Sequence, residues 1–283
     1  MENKFPCPVC GSACALLDVV DFNKSCGEAR GTFLELSGVP VYYALCSNCG
    51  FCFAPEMATW KLEEFKRRIY NHEYALVDPD VVEDRPERNA KTLISMFGDQ
   101  PPPIKHLDYG GGNGLLAKHL TNSGWQSTSY DPFVDENVCL EHIGKFALIS
   151  AFEVFEHVPD VNELMLNLST LLAPNGVVLL STMLSDGSIH ANERLTWWYA
   201  SPRNGHISLF SRNSLEILAK NNGLNFASFS TGFHVLYTET PSWAAHIIGM
   251  SDQMPQQGTP RETFKQKIAR AIFNYYFRDR FTL

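Results

Sequence analysis

The sequence is short of positive charge, and this shortage limits the partners it could have. Its 23 lysines and arginines stand against 31 aspartates and glutamates, which gives a formal net charge of -8. Proteins that bind nucleic acid need a basic surface to neutralise phosphates, so this balance argues against such a partner. We therefore expect a small-molecule partner and no nucleic acid.

Long apolar runs are missing as well. No stretch approaches the roughly 20 apolar residues that a membrane-spanning helix needs. The opening residues, "MENKFPCPVCG", contain no apolar segment of the kind that a secretory signal requires. We expect a cytoplasmic protein without a membrane partner, in which cysteines are thiols or metal ligands rather than disulfides.

Cysteine is scarce in most of the chain but concentrated near its start. Seven of the eight cysteines precede position 53. Two segments, "CPVCG" and "CSNCGF", repeat the pattern C-x-x-C-G, in which a tight turn points two thiolates at one tetrahedral ion. The ligands predicted for a closed, structural zinc site are Cys7, Cys10, Cys46 and Cys49. The strand-like "VPVYYALC" suits a zinc-ribbon-like module over residues 1–55, whereas reduced cysteines without metal or a thioredoxin-like redox pair are the alternatives.

The remainder of the chain divides into three parts by pattern. Residues 56–103 have apolar positions at helical spacing and end in three prolines, which predicts a helical connector or lid. Residues 104–240 alternate strands with helices, which predicts an α/β fold with a mostly parallel sheet and helices on both faces. Residues 241–283 predict a loop and a helix that docks on the body or on a second subunit of a homo-oligomer.

A glycine-rich loop, "HLDYGGGNGLLAKHL", follows the first strand of this α/β pattern. A P-loop is excluded, because Lys118 is misplaced and no hydroxyl follows it. A dinucleotide frame matches only when it is shifted into the following helix. The clean spacing is alternating, and glycines at such positions let the backbone lie flat beneath a ligand. The residues in this spacing are Asp108, Gly110, Gly112 and Gly114.

This loop resembles the first motif of class I S-adenosylmethionine-dependent methyltransferases. Two further segments over residues 104–240 resemble the same family, namely "FALISAFEVFEHVPD" and "LLAPNGVVLLST". The resemblance implies a Rossmann-like class I methyltransferase sheet that binds S-adenosylmethionine. Asp131, in "TSYDP", stands about twenty residues beyond the glycines, where an acid holds ribose hydroxyls. The cofactor contacts that the resemblance implies are Asp108, Gly110, Gly112, Gly114, Asp131, Phe152 and Glu153.

One departure from the family concerns the segment between Asp131 and Phe146. It is too short for the helix, strand and acidic adenine contact usual in the family. The adenine end of the predicted site is therefore poorly located by sequence.

Two histidines are the candidate catalytic residues. The segment "GHISLFS" resembles a histidine motif of zinc-containing sugar C-methyltransferases, which also carry a cysteine-rich amino-terminal module, although Gly205 stands where that motif has glutamate. We therefore take His206 as a candidate base, because histidine titrates near neutral pH. His157, in "FEHVPD", is the second candidate. The alternatives are a cap or brace role for His157 and a backbone-satisfied structural role for His206.

The predicted function is methyl transfer from S-adenosylmethionine to a small molecule such as a sugar or natural-product intermediate. The rival enzyme class is a nicotinamide-dependent oxidoreductase, which the shifted glycine frame permits. A third hypothesis is a zinc-stabilised protein that binds cofactor without turnover.

Overall fold

The computed structural model describes residues 5–81, 84–97 and 103–251. The strands, in chain order, are β1 (Phe5–Pro6), β2 (Ala13–Asp21), β3 (Pro40–Cys46), β4 (Cys52–Phe53), β5 (Lys105–Tyr109), β6 (Gln126–Tyr130), β7 (Phe146–Phe152), β8 (Leu172–Ser181), β9 (Ser208–Leu209), β10 (Asn225–Ser228) and β11 (Phe233–Tyr237). The helices are α1 (Leu62–Arg68), α2 (Tyr74–Val77), α3 (Asp84–Phe97), α4 (Leu115–Asn122), α5 (Leu140–Ile143), α6 (Val161–Leu171), α7 (Arg212–Asn221) and α8 (Ala245–Ser251). The predicted C-terminal helix and two of the three prolines that end the connector lie outside the described residues.

The chain forms two compact units, each assembled from separated stretches. The first, here called the cysteine unit, comprises Met1–Val82, Phe155–Met165 and Met183–Asn221. The second, the α/β unit, comprises Glu83–Val154, Leu166–Thr182 and Asn222–Leu283. These units cross the boundaries predicted from the sequence, which placed residues 104–240 together. No helix among the described residues is both long and apolar enough to cross a bilayer.

The cysteine unit is built on a five-stranded antiparallel sheet in the order β1-β2-β3-β4-β9. The predicted strand in "VPVYYALC" is β3, which pairs with β2 so that Cys14 lies opposite Cys46. The far edge strand β9 comes from late in the chain and pairs with β4, with Cys52 opposite Leu209. This pairing explains why residues 183–221 belong with the cysteine-rich segment.

The α/β unit confirms the predicted fold class. Its sheet has the order β10-β11-β8-β7-β5-β6, in which β8, β7, β5 and β6 run parallel and β10 and β11 form an antiparallel closing pair. The central strand β7 is almost entirely buried. A near-continuous apolar sequence such as "FALISAF" is typical of parallel strands covered on both faces.

One hydrophobic cluster fills the core of this unit. Alternate residues of a strand point to the same face of a sheet, and the strand positions in the cluster follow this rule, with Leu148 and Phe152 on β7 and Val177 and Leu179 on β8. Helix α3 adds Leu93 and its neighbours at helical spacing, and α4 and α8 contribute apolar residues to the same cluster. The strands and helices predicted here from apolar periodicity are therefore present.

The start of strand β8 differs from the expectation based on sequence. The segment "VNELMLNLSTLLAPNG" predicts a helix that stops at Gly176, whereas α6 ends at Leu171 and β8 begins at Leu172. Asn175 has a left-handed φ of 56°, and the pairing register with β7 shifts across this stretch, so a bulge keeps the chain within the sheet.

Between β6 and β7 the structure has the short helix α5 and no strand, as the brevity of the segment predicted.

Candidate functional site

The glycine-rich loop lies at a reversal of strand order. Strand β5 pairs in parallel with β6 on one side and with β7 on the other. The chain therefore leaves β5 toward one neighbour and later returns to the opposite one. In open parallel sheets the ligand crevice lies outside the carboxyl ends of the strands at such a point. The loop after Tyr109 occupies this position and leads into α4.

The loop needs glycine for two separate reasons. Gly110, Gly112 and Gly114 have φ values of +75°, +55° and +75°, a region that other residues rarely adopt. Gly111 is needed for space instead, because a Cβ there would lie 2.3 Å from Ser129 Oγ. The alternating spacing identified the first three, and only the unbroken glycine run in the sequence could have pointed to Gly111.

Asp131 is joined directly to the loop. Its Oδ2 accepts a hydrogen bond from Gly112 N–H at 2.8 Å, and its Oδ1 accepts one from Phe133 N–H at 2.7 Å. The side chain is largely buried at the end of β6. The structure thus brings together Asp131 and the glycines, and the carboxylate fixes the path of the loop.

Asp108 lies beneath the loop in a polar network that the sequence did not reveal. Its Oδ1 accepts a hydrogen bond from Ser150 Oγ at 2.9 Å. His106 Nε2 lies 3.0 Å from Ser150 Oγ, and His106 Nδ1 lies 2.7 Å from Ser127 Oγ. Since Ser150 donates to Asp108, we assign the proton of His106 to Nε2, which donates to Ser150.

Burial controls the charge of both ionisable members of this network. Burial raises the pKa of the Asp108 carboxyl to about 7; the hydrogen bond from Ser150 opposes the shift, and the charge of Asp131 adds to it. Burial lowers the pKa of His106 to about 3, so the imidazole is neutral at pH 7. The carboxyl is therefore poised between its two forms near neutral pH, and a cationic ligand beside it would favour the ionised form.

The end of β7 holds the other two predicted cofactor residues. Phe152 is buried in the core, with its ring centroid 5.8 Å from that of Phe233. Glu153 has a left-handed φ of 55°, and its N–H donates to Ser181 Oγ at 2.9 Å. Ser181 Oγ in turn donates to Glu153 Oε1 at 3.0 Å. The chain thus turns sharply at Glu153, while cofactor contact by either residue stays a prediction.

The four cysteines of the two C-x-x-C segments converge in the cysteine unit. Cys7 Sγ lies 3.5 Å from Cys49 Sγ, and Cys10 Sγ lies 3.5 Å from Cys46 Sγ. All four sulfurs lie within 4.8 Å of one another. Sulfurs held about 2.3 Å from a tetrahedral zinc ion are separated by about 3.8 Å, so the observed set has the size of such a site. The hydrogen bond between Cys7 and Cys49 lowers the pKa of Cys7 to about 5 and raises the pKa of Cys49, so Cys7 is the first of the pair to form a thiolate.

Both C-x-x-C-G segments form the tight turn predicted for them. Gly11 N–H donates to the carbonyl of Cys7 and Gly50 N–H to that of Cys46, each at 2.9 Å. Both glycines have positive φ, +73° and +76°. The glycine after each C-x-x-C pair therefore closes the turn in a conformation that a side chain would strain.

The two candidate histidines lie together in the cysteine unit. The ring centroids of His157 and His206 are 4.8 Å apart. His206 is buried, and its Nδ1 donates to the backbone carbonyl of Tyr199 at 2.8 Å. His157 Nδ1 lies 3.0 Å from the hydroxyl of Tyr70. Strand β9, which begins two residues after His206, fixes that histidine against the cysteine-rich sheet.

A third ionisable residue, Glu156, joins this pair. It is fully buried, and its Oε1 accepts a hydrogen bond from the Tyr199 hydroxyl at 2.5 Å. One ligand atom from each of Glu156, His157 and His206 lies within 4.8 Å of the others. Sequence reasoning missed Glu156 as a site residue, although it directly precedes a predicted one, because burial could not be read from "FEHVPD".

Comparison with known proteins places this geometry in context. A family model described as "Methyltransferase domain" matches residues 81–228, which is just over half of the chain. A curated "Ubiquinone biosynthesis O-methyltransferase" of Rhodopseudomonas palustris (strain TIE-1) is 30% identical over 118 residues, with 34% of this chain and 45% of that protein covered. One from Rickettsia bellii (strain OSU 85-389) is 31% identical over 101 residues, with coverages of 28% and 42%. The chain thus spans less than half the length of these relatives.

Solved structures give a more distant likeness. A Burkholderia thailandensis 1,6-didemethyltoxoflavin-N1-methyltransferase, crystallised with 1,6-didemethyltoxoflavin and S-adenosylhomocysteine, is 15% identical to this chain. The match covers 71% of this chain and 96% of that one, with a TM-score of 0.44.

Proposed function

The chain belongs to the methyltransferase-domain family, and from this membership we propose that it transfers the methyl group of S-adenosylmethionine to a small-molecule acceptor. The observation that carries the proposal is the loop from Gly110 to Gly114, which Asp131 holds at the strand-order reversal. Such a loop, with an acid on the next strand, suits a nucleoside-containing cofactor.

The glycines of the loop and the side chains around it have separate proposed roles in cofactor binding. The glycines present backbone without side chains, so the methionine portion can lie directly on it. Asp131 would hold the ribose hydroxyls, because each carboxylate oxygen has two acceptor sites and the amides of Gly112 and Phe133 use one on each. Asp108 places a titratable carboxyl below the loop, where the positive charge of the cofactor would favour its ionised form. Phe152 and Glu153 are the proposed contacts at the end of β7.

Methyl transfer requires the protein to align the acceptor with the cofactor and to remove a proton from it. A sulfonium methyl group is already electrophilic, so holding the acceptor in line with it supplies much of the acceleration. An acceptor hydroxyl must also lose a proton as the new bond forms. His206 and His157 are the groups we propose for that role, since imidazole titrates near neutral pH.

Zinc is the second proposed cofactor. The sulfur separations among Cys7, Cys10, Cys46 and Cys49 fit a tetrahedral thiolate site, and four protein ligands leave no position for water. The ion would therefore stabilise the cysteine unit as a structural zinc-ribbon-like element and take no part in methyl transfer.

The acceptor we propose is a hydroxyl-bearing small molecule, such as a sugar or a natural-product intermediate. The hydroxyl acceptor is supported by the curated relatives, which are named as O-methyltransferases. The resemblance of "GHISLFS" to a motif of sugar C-methyltransferases supports a sugar as the substrate but points to carbon as the acceptor atom.

The test is transfer of labelled methyl from S-adenosylmethionine into the small-molecule fraction of a cell extract. We expect label in that fraction and formation of S-adenosylhomocysteine, both reduced at least tenfold by Asp131→Asn. Oxidation of NADH by acceptors in the extract, with no methyl transfer, would instead establish the oxidoreductase alternative. Tight cofactor binding with no transfer to any fraction would favour a binding protein without turnover.

A further inference from the structure

The cluster of Glu156, His157 and His206 contains two imidazoles and a buried carboxylate, whereas a single base is enough to remove one proton. We propose that these three residues bind a divalent transition-metal ion, at a site separate from the four cysteines. The inference goes beyond the proposed function and replaces one part of it, because with the ion bound His157 and His206 are ligands and neither is the proton acceptor proposed above.

The donor set is the first argument. Two imidazoles and one carboxylate form the 2-His-1-carboxylate arrangement that holds iron(II), zinc or cobalt(II) in proteins. One donor atom from each side chain already lies within 4.8 Å of the other two. Donors bound about 2.1 Å from one ion lie roughly 3.0 to 3.4 Å apart, so small side-chain rotations would close the site.

The hydrogen bonds of the histidines are the second argument. A backbone carbonyl only accepts, so the contact between His206 Nδ1 and the carbonyl of Tyr199 at 2.8 Å fixes the proton on Nδ1. A neutral His206 therefore presents the lone pair of Nε2, which is the tautomer that metals bind. Metal-ligating histidines commonly donate their other ring N–H to a carbonyl or carboxylate in this way.

His157 and Glu156 have matching outer partners. His157 Nδ1 lies 3.0 Å from the Tyr70 hydroxyl, which orients the imidazole ring. The Tyr199 hydroxyl donates to Glu156 Oε1 and orients the carboxylate. Each proposed ligand is thus held by a neighbouring oxygen group, as in outer shells around metal sites.

Gly205 makes this arrangement sterically feasible. Its φ is +89°, and a Cβ at this position would lie 2.9 Å from the Tyr70 hydroxyl and 3.1 Å from His157 Nδ1. The glutamate that the sugar methyltransferase motif has here would therefore displace Tyr70 or His157. In this chain the carboxylate comes from Glu156 instead.

The ligand count indicates what the ion could do. Three protein ligands leave coordination positions for water or an oxygen-bearing ligand, unlike the closed set of cysteines. Titratable side chains that contact the cluster include Tyr70, Tyr199 and Cys26, whose sulfur lies 3.8 Å from His206 Nδ1. The Tyr43 hydroxyl donates to the backbone carbonyl of His206. If the ion binds, His206 acts as a ligand and not as a free base.

The experiment is titration of the full metal-free chain with cobalt(II), followed by absorption spectroscopy. Cobalt bound to thiolates gives sulfur-to-metal charge transfer, whereas cobalt bound to imidazole and carboxylate does not. We expect two equivalents per chain, only one of them with charge transfer. His206→Gln and Glu156→Gln should each lose the equivalent without charge transfer and keep the thiolate signal, which also reports that the fold is intact.

The matched control is His190→Gln, because His190 is an exposed histidine of the same unit. It should keep both equivalents. X-ray absorption at the cobalt edge of the wild-type chain provides a test that needs no variant, with imidazole scattering as the expected result. Binding of one thiolate-bound equivalent alone, retention of the second equivalent in both variants, or absence of imidazole scattering would overturn the proposal.

Discussion

At the scale of single residues, the glycine loop requires glycine for two different reasons, which are a positive φ and a lack of space for a Cβ. The sequence pattern does not distinguish them. Gly112 has a positive φ, and its missing Cβ would meet nothing within 4 Å. Gly111 has no such φ, but its missing Cβ would collide with Ser129 Oγ at 2.3 Å and Asp108 Oδ2 at 2.5 Å. Gly112 therefore leaves open space above the loop, while Gly111 lets the loop pack on the strands below.

We expect Gly111→Ala to lower the free energy of unfolding by about 2 kcal/mol, since overpacking of a close contact costs roughly 1–3 kcal/mol. Gly112→Ala is the matched control, and we expect it to cost about 1 kcal/mol through its positive φ. The same control should weaken S-adenosylmethionine binding, because its methyl group projects into the open space. Urea unfolding and a binding titration measure the two effects. Equal stability of wild type and Gly111→Ala would show that the loop does not pack as described.

Asp108 gives a residue-scale prediction about pH. Burial raises the pKa of this carboxyl from 3.8 to about 7, so the folded chain keeps a proton that the unfolded chain releases. Between these two values the unfolded state binds fewer protons, and stability therefore falls as pH rises. Above about pH 7 the loss is complete.

Asp108→Asn should remove this dependence, because asparagine does not ionise. We expect the variant to gain stability relative to wild type as pH rises from 5 to 8, by an amount on the order of 2 kcal/mol. Thermal unfolding of both proteins at several pH values checks this. A difference that stays constant with pH would mean that Asp108 is ionised in the folded state throughout this range.

At the scale of elements, helix boundaries are set by side chains that the apolar pattern does not include. Asp160 Oδ1 accepts hydrogen bonds from the N–H groups of Asn162 at 2.9 Å and Glu163 at 3.1 Å, and it thereby caps the start of α6. Ser211 Oγ likewise accepts from Ser214 N–H at 3.1 Å at the start of α7. These bonds satisfy amides that a helix leaves without internal partners.

Asp160→Ala should cost about 1 kcal/mol of stability, the usual effect of losing an N-cap. Asp160→Asn retains a capping oxygen and should stay within a few tenths of a kcal/mol of wild type. Denaturant unfolding of the three proteins distinguishes these outcomes. If both variants lose the same amount, the charge of Asp160 and not its hydrogen bonds would be the stabilising factor.

Local sequence pattern was sufficient to predict most strands and helices between residues 104 and 240. The alternation of apolar strands with helices predicted β5 to β8 and α4, α6 and α7, because periodicity reports the face that each element buries. The bulge at Asn175 depends on one left-handed residue and had no such pattern. In the candidate site, the glycines and Asp131 were predicted from spacing, and their contact with a cofactor stays a prediction. Ser150, His106 and Glu156 were not predicted, since their roles depend on partners distant in sequence.

At the scale of the whole molecule, long-range pairing determines the units. The predicted boundaries treated residues 1–55 as a separate module, whereas the cysteine unit also contains residues 155–165 and 183–221. The pairing of β4 with β9 joins positions more than 150 residues apart, and no local pattern reports it. His206 belongs to the cysteine unit for the same reason, and its backbone carbonyl accepts a hydrogen bond from Tyr43.

If the four clustered cysteines hold zinc as proposed, removal of one of them should affect the whole cysteine unit. We expect Cys46→Ala to lose one zinc ion per chain and to lower the thermal midpoint, because binding energy at a structural zinc site is also folding energy. Cys139→Ser is the matched control, since Cys139 is exposed and lies outside the cluster. Elemental analysis and thermal unfolding provide the measurements. Unchanged zinc content in Cys46→Ala would contradict the four-cysteine site.

The central claim, that the loop at the strand-order reversal binds S-adenosylmethionine, is tested most directly by calorimetric titration. The zinc-loaded chain would be titrated separately with S-adenosylmethionine, S-adenosylhomocysteine and NADH. We predict micromolar binding of the first two and none of NADH, with affinity lost in Asp131→Asn and kept in Asp160→Asn. Binding of NADH without S-adenosylmethionine would contradict the account and favour the shifted dinucleotide frame.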